Sequence, residues 1–387
     1  MTVRIGAGVS TQPDPLAGGA EAARMAAESL AGTETDLALV FASGAHLAAP
    51  EATLEAVHTE IAPRALVGCG AGGVLGAGRE VESGTAVVVW AAALAGDGDA
   101  RVFHATSETG EAQAVVDDLP ASTADEGVIM LADPYSFPTD PVLAALADRS
   151  PGVPVLGGLS SARTPEGAGA LFLGDRVYEE GAVGLFLDGI EMVPCVSQGA
   201  APLGREVTIT AAEGNVIRQL AGRPALETIE RVIAELPARE RALVAAGLLI
   251  GIVIDGGKPE YEQGDFLVRG VLGADRGSGA LVVGTTVSEG QVLRLHARDA
   301  RSADQDLRKA LRLRAEAIGD PPAGALVFSC NGRGQAMFGT PDHDASAIAR
   351  ELHGAPAAGF FAAGEIGPVG GRSFLHGFTA TLAVFPA

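Results

Sequence analysis

At 387 residues the chain is too long for one typical core, and 47% hydrophobic with 19% charged residues excludes a disordered protein. Its formal net charge of −21, from 27 basic and 48 acidic residues, would repel a nucleic-acid backbone or an anionic membrane, so neither is expected as a partner. No apolar run reaches the roughly 18 residues of a membrane span, and MTVRIGAGVS lacks the pattern of a signal peptide. Cys69, Cys195 and Cys330 are too isolated to form a disulfide framework, so a cytoplasmic protein is expected.

VRIGAGVS (3–10) reads as a strand, followed by a Pro/Asp turn and an Ala-rich helix over 16–32 that stops at Gly32. A first unit then runs DLALVFAS (36–43), helix, ALVGCGAGGVLGAGREVESG (65–84) and TAVVVWAA (85–92). An extra strand at 101–108 and a polar connection over 108–127 with one short helix lead to a second unit. It comprises GVIMLADP (127–134), helix, residues 153–181 and AVGLFLDG (182–189). A β-rich stretch begins at 190. Within it the helical segment 224–244 is expected to break near Pro237, ahead of four strands in 247–255, 265–273, 279–287 and 291–299. A helix over 302–319 precedes a third unit: ALVFSCNGRGQAMFG (325–339), helix 341–352, residues 355–377 and FTATLAVF (378–385).

All three units share one order: strand, helix, strand, Gly-rich polar turn, closing strand. The fold class expected is α/β shading into α+β, with mixed β-sheets covered by helices and built from diverged strand-helix-strand-hairpin repeats in two domains. The first domain is 1–195, holding two repeats, and the second 196–387, holding the β-rich insert and the third.

Among motifs, Gly68, Gly70 and Gly73 satisfy G-x-G-x-x-G, but GAGREVESG behind them reads as turn and short strand where a dinucleotide site needs a helix. Phosphate-loop and C-x-x-C or H-x-x-x-H spacings do not occur, so no cofactor and no metal is expected. The richer segment is FSCNGRGQAMFG (328–339), where Cys330, Asn331 and Arg333 lie among glycines at a strand end, and Arg333 could offer a fork to a carboxylate. In PDHDASAIAREL the aspartates read as helix-start residues and His343 as a weak base or ligand. GFFAAGEIGPVGGRSFLHGF (359–378) adds Glu365, Arg372 and His376, the first two able to grip the two ends of a zwitterion.

CNGRG (330–334), PDHDA (341–345) and AGFFAAGEIGPVGGRSFLHGFT (358–379), with FLVRGVLGADRGSGALVVG (266–284), resemble the C-terminal FIST domain. DLALVFAS, LVGCGAGGVLGAGREVE and GGLSSAR (157–163) resemble the N-terminal FIST domain. The resemblance spans nearly the whole chain. It implies an intracellular sensory module for signal transduction that binds a small ligand, an amino acid being a common suggestion, with no established catalytic residues. With both FIST halves filling the chain, a stand-alone sensor acting on a downstream signalling protein is expected.

The expected ligand pocket is lined by Cys330, Asn331, Arg333, Glu365, Arg372 and His376, with Cys69, Arg79 and Ser160 at equivalent turns; its ligand would be an amino acid or small carboxylate. Two rivals stand beside it. One is a hydrolase or transferase using Cys330 with His343 or His376 as base. The other is a protein-interaction adaptor.

Overall fold

The computed structural model describes residues 3–387 apart from 95, 97, 108–110, 121–125 and 320. Residues 108–110 and 121–125 of the polar connection expected over 108–127 therefore lie outside the described residues. The chain forms mixed sheets with helices in two compact units. The larger comprises Met1–Val196, Leu307–Leu375 and Ala380–Ala387, the smaller Ser197–Asp306 and His376–Thr379.

The larger unit is three versions of one assembly. The first comprises β1 (Arg4–Ser10), α1 (Pro15–Glu28), β2 (Leu37–Ser43), α2 (Pro50–Ile61), β3 (Ala65–Gly70), β4 (Val74–Gly76), β5 (Arg79–Val81) and β6 (Ala86–Ala93). The second repeats it as β7 (Asp99–Ala105), α3 (Ala112–Asp118), β8 (Gly127–Ala132), α4 (Thr139–Arg149), β9 (Val155–Leu159), β10 (Leu171–Leu173), β11 (Arg176–Tyr178) and β12 (Ala182–Asp188). The third opens with β13 (Val193–Gln198), and the smaller unit follows at once.

That smaller unit holds β14 (Ala200–Glu213), β15 (Val216–Leu220), β16 (Arg223–Pro224), α5 (Ala225–Glu235), α6 (Ala238–Ala246), β17 (Leu248–Val253), β18 (Phe266–Asp275), β19 (Ala280–Val283) and β20 (Val292–Arg298). The helical segment breaks at Leu236–Pro237, as its proline requires. The strand order is β14-β20-β17-β18-β19-β15-β16, and β14 also pairs with β15, which closes the sheet on itself. Ile209, Ile217, Ile250, Leu281, Leu293 and Leu295 fill it, with Ile229 and Val232 of α5 packed against them. Closure leaves few unpaired strand edges.

The third assembly resumes with α7 (Ala300–Ile318), β21 (Gly324–Cys330), the single turn α8 (Gln335–Phe338), α9 (His343–Glu351), β22 (Ala357–Ala362), β23 (Glu365–Val369), β24 (Arg372–His376) and β25 (Thr379–Phe385). The compact units thus divide the chain differently from the halves 1–195 and 196–387: the third copy belongs with the first two and is interrupted in sequence by the smaller unit.

Each copy contributes one parallel pair, β2–β3, β8–β9 or β21–β22, flanked by its antiparallel closing strand. The hairpins are exchanged in a ring. The sheet orders are β1-β6-β2-β3-β10-β11, β24-β23-β9-β8-β12-β7 and β13-β25-β21-β22-β4-β5. The second copy's hairpin therefore completes the first sheet, the third copy's completes the second, and the first copy's completes the third. The glycines at Gly68, Gly70 and Gly73 lead into one of these hairpins rather than a helix, and a Cβ on Gly68 would lie 1.9 Å from the carbonyl oxygen of Val40. Close strand contact explains them.

The strands are apolar throughout because both faces are covered. Alternation then sorts the side chains. Leu39 and Phe41, Ile129 and Leu131, and Leu326 and Phe328 all point into one core shared by the three copies. Their neighbours point outward: Ala38 and Val40 with α1 and α2, Val128 and Met130 with α3 and α4, Ala325 and Val327 with α7 and α9. Phe41 stacks on Phe360 at 5.0 Å, and Trp90 meets Phe385 at 5.3 Å across that shared core. By the same alternation Ser43, Asp133 and Cys330 occupy the inward positions at the C-terminal ends of β2, β8 and β21.

Candidate functional site

Strand ends are where a parallel pair presents chemistry, because the chain turns there and backbone groups lose their ladder partners. The three ends differ. In the first copy Ser43 donates to the carbonyls of Gly84 and Ala86, and three residues on, His46 bonds Thr53 Oγ1 at 2.9 Å through Nδ1. In the second, Asp133 accepts from Tyr135 N, Ser136 N and Ser136 Oγ and pairs with Arg163, whose guanidinium lies 4.4 Å from the Tyr135 ring centre.

The third end buries a full charge pair. The N–H of Gly332 points at Cys330 Sγ (3.4 Å) and that of Arg333 at the Cys330 carbonyl, so the turn folds back over the thiol. Arg333, three residues past the strand, then sends its side chain inward. Nε donates to Asp344 Oδ2 at 2.6 Å and Nη2 to Asp344 Oδ1 at 3.0 Å, with both side chains 1% exposed. Ser329 Oγ and His343 Nδ1 also meet the Asp344 carboxylate, at 3.1 and 2.9 Å. Phe338 roofs the pair: its ring stacks on His343 (3.5 Å, 4°) and lies 5.1 Å from the Arg333 guanidinium.

The electrostatics favour two charges. Burial pushes the Asp344 carboxyl up, but the Arg333 charge and the bonds from His343 and Arg333 outweigh it and hold the group well below the usual carboxylate range. Burial likewise lowers the Arg333 guanidinium, yet Asp344, then Cys330 and Glu365, raise it above its ordinary value. Glu365, fully buried as the first residue of β23 and opposite Gly158 of β9, is thus within electrostatic reach of the same guanidinium. Among the described residues Arg333 Nη1 makes no hydrogen bond.

The first copy's hairpin completes the site. Glu80 Oε1 accepts from Ala345 N (2.9 Å), Glu80 N donates to Asp342 Oδ1 (2.6 Å), and Glu82 Oε1 accepts from Gln335 N (2.8 Å). The first turns of α8 and α9 are therefore capped from another copy; Asp342, at φ 53°, makes no side-chain cap of its own. Gly334 makes this approach possible. Its φ is +85°, and a Cβ there would lie 2.6 Å from a Glu82 carboxylate oxygen.

Of the residues singled out in the sequence, Cys330, Arg333 and Glu365 converge here, with Asn331 exposed on the adjoining turn. Arg333 does offer a fork to a carboxylate, but that carboxylate is Asp344 of the same chain. The aspartates of 342–344 consequently do more than start a helix.

Arg372 is exposed and pairs with Asp148 at 3.1 Å. It follows the hairpin turn, about 13 Å of strand away from Glu365, so the two do not grip one small zwitterion. Cys69 is fully buried in the shared core, where burial pushes its thiol far up. Arg79 faces solvent on β5 while its neighbour Glu80 turns toward α9. Ser160 Oγ donates to the Gly70 carbonyl at 2.7 Å and ties the second copy's turn to the first copy's strand. His376 is buried and clusters with the smaller unit. Asp344, Glu80, Glu82 and Phe338 were missed; the alternation along Arg79–Val81 was the available signal, but the hairpin exchange that gives it meaning is not written in the repeat. Among the described residues no group of three or more His, Cys, Asp or Glu side chains is placed to hold a metal ion.

A threefold strand-helix-strand-hairpin assembly with a closed β insert and, in its last copy, a strand end whose ion pair is buried on both sides defines the class. Residues 36–223 match the FIST N domain and residues 225–368 the FIST C domain, so the chain belongs to the FIST family, whose domains are associated with signal-transduction sensing. It is 43% identical over 384 residues to the uncharacterized protein Rv0628c of Mycobacterium tuberculosis (strain ATCC 25618 / H37Rv), covering 99% of this chain and 100% of that one. It is 42% identical over 384 residues to the uncharacterized protein Mb0898c of Mycobacterium bovis, covering 99% of each. Among the described residues no helix is long and apolar enough to cross a membrane.

Proposed function

We propose that the protein is a cytoplasmic sensor whose ligand binds at the C-terminal end of β21, against Cys330, Asn331, Arg333, Asp344 and Glu365. One observation carries this: an ion pair buried where the fold does not need one. The first copy closes the same corner with the neutral pair His46–Thr53, so burial of Arg333 and Asp344, which costs several kcal/mol per ion before pairing, serves something other than the architecture. Buried charged groups with shifted pKa values gather at functional sites, which supports this reading.

The ligand class is a small amino-bearing metabolite, an amino acid in the first instance. Asp344 already occupies the fork of Arg333, and Glu365 adds a second carboxylate, so the surroundings suit an ammonium group, while Arg333 Nη1 remains a donor for its carboxylate. A cytoplasmic setting is supported by Cys69, Cys195 and Cys330 being buried with no disulfide among them. The output would pass to a downstream signalling protein.

Thermal unfolding in the presence of each proteinogenic amino acid, and of succinate and acetate as amine-lacking controls, tests this. A ligand at a hundredfold excess over its Kd adds about 2.7 kcal/mol, a rise of several degrees that Arg333→Lys should abolish. If no amino acid shifts the transition, or if the shift survives Arg333→Lys, the proposal falls.

A further inference from the structure

The three carboxylate–backbone bonds from the first copy's hairpin all land on the segment that carries the site. Gln335 opens α8 two residues after Arg333, and Ala345 follows Asp344. Whatever loosens these bonds loosens the grip of Asp344 on Arg333. We propose that the β4–β5 hairpin is a proton-controlled latch on the ligand site: with Glu80 protonated it holds the segment 334–345 down, and when Glu80 ionises it releases it.

The groups facing Glu80 explain the direction. On its own strand lies Arg79, pointing to solvent, and just past the strand Glu82; from the start of α9 come Asp342, His343 and Asp344, with Arg333 behind Asp344. β4 and β22 bring no titratable side chain. Burial first, then the charges of Asp344 and Glu82, raise the Glu80 carboxyl to about 7, against the opposing pull of the backbone bonds from Ala345 and Asp344. Its second oxygen, Oε2, is buried with no hydrogen-bond partner among the described residues, which suits a neutral carboxyl better than a charge.

The folded-state value lies above the ordinary carboxyl value of about 4.3. The contribution of Glu80 is therefore complete below that value and is lost as pH rises through about 7. On the alkaline side the N-terminus of α9 is freed to draw Asp344 off Arg333, opening the guanidinium to a ligand carboxylate. As a control on binding, the latch rests on the ligand site proposed above; as a titration, it is measurable without any ligand.

Amide hydrogen exchange on the full chain between pH 5.5 and 8.5, corrected for intrinsic rate, reads it directly. Protection at Ala345 and Gln335 should fall as pH rises, by about tenfold for each pKa unit of coupling, while amides of α4 stay level. Glu80→Gln should flatten the profile and leave the segment protected at high pH. A level wild-type profile, or a transition that survives Glu80→Gln, overturns the latch. Should that variant not fold, a carboxyl titration of wild-type Glu80 by ¹³C NMR decides: a midpoint in the ordinary carboxyl range overturns it, and one near neutrality supports it. Ligand stabilisation with a level exchange profile removes the latch alone; a clear exchange transition with no ligand stabilisation removes the ligand site and leaves the titrating hairpin.

Discussion

The first and third copies solve one geometric problem with different chemistry. Each must tie the turn after its central strand to the following helix, and each does so from the position three residues past the strand end. The first uses His46 and Thr53, the third Arg333 and Asp344. A neutral hydrogen bond suffices to close the corner, and contributes about 1 kcal/mol net. A buried ion pair adds little net stability and holds two charges out of water at the strand end. Where copies share a backbone, the copy that departs from the cheapest closure is the one to suspect of function.

The sharpest way to break that comparison is to remove one charge. Asp344→Ala leaves a buried guanidinium unpaired and should cost about 3–5 kcal/mol, whereas Thr53→Ala should cost roughly 1–3 kcal/mol. Urea unfolding followed by the fluorescence of Trp90, which lies in the core of the larger unit, would measure both. Equal losses would deny that the third corner is special. Replacing the pair together, as Arg333→Met with Asp344→Leu, should change stability by no more than about 1–2 kcal/mol, in either direction, while eliminating ligand-induced stabilisation. A double variant as damaged as Asp344→Ala would mean the ion pair is structural.

Acid separates the two corners by pH. Burial lowers the pKa of His46, against weaker opposing effects from Gln12 and Asp14, so its neutral form is favoured in the folded state. That stability is present above the ordinary histidine value of about 6.5 and is lost as pH falls below it. Asp344 is depressed too, but from a carboxylate's value, so its contribution persists to about pH 4 and is lost only below that. Hydrogen exchange at α2 should therefore quicken at a higher pH than at α9; the reverse order would refute the assignment. The smallest effect belongs to Arg372→Ala. Its pair with Asp148 is solvent-exposed, so the change should fall within the roughly 0–1 kcal/mol of surface ion pairs and leave ligand stabilisation intact.

Much of this molecule was legible in its sequence. The three repeats, the helix break at Pro237, the mixed sheets and the prominence of Cys330, Arg333 and Glu365 follow from periodicity, proline chemistry and the clustering of polar residues among glycines. What stayed hidden shares one cause. Asp344 had an adequate local explanation as a helix-start residue, and the segment holding Glu80 and Glu82 reads only as turn and short strand. Each acquires its role from a partner far along the chain: Glu80 meets Ala345, and Glu82 meets Gln335. Local pattern cannot report which copy's hairpin completes which sheet. The compact units show the same blindness, since an insert that separates β13 from the rest of its copy disguises the third repeat as part of a second half.

The ring of exchanged hairpins also constrains how the chain is made. Gly76 finds its strand partner in Ala358, about 280 residues later. At a synthesis rate of roughly 5–20 residues per second, the hairpin of the first copy waits for some 15–60 s before its sheet exists. Until then the nascent chain carries an orphaned edge and an uncovered apolar face, the surfaces that chaperones recognise. The sheet bearing the candidate site needs β25, so ligand competence would arrive only when translation has passed that strand, and a truncated product would be not a weaker sensor but an unfinished one.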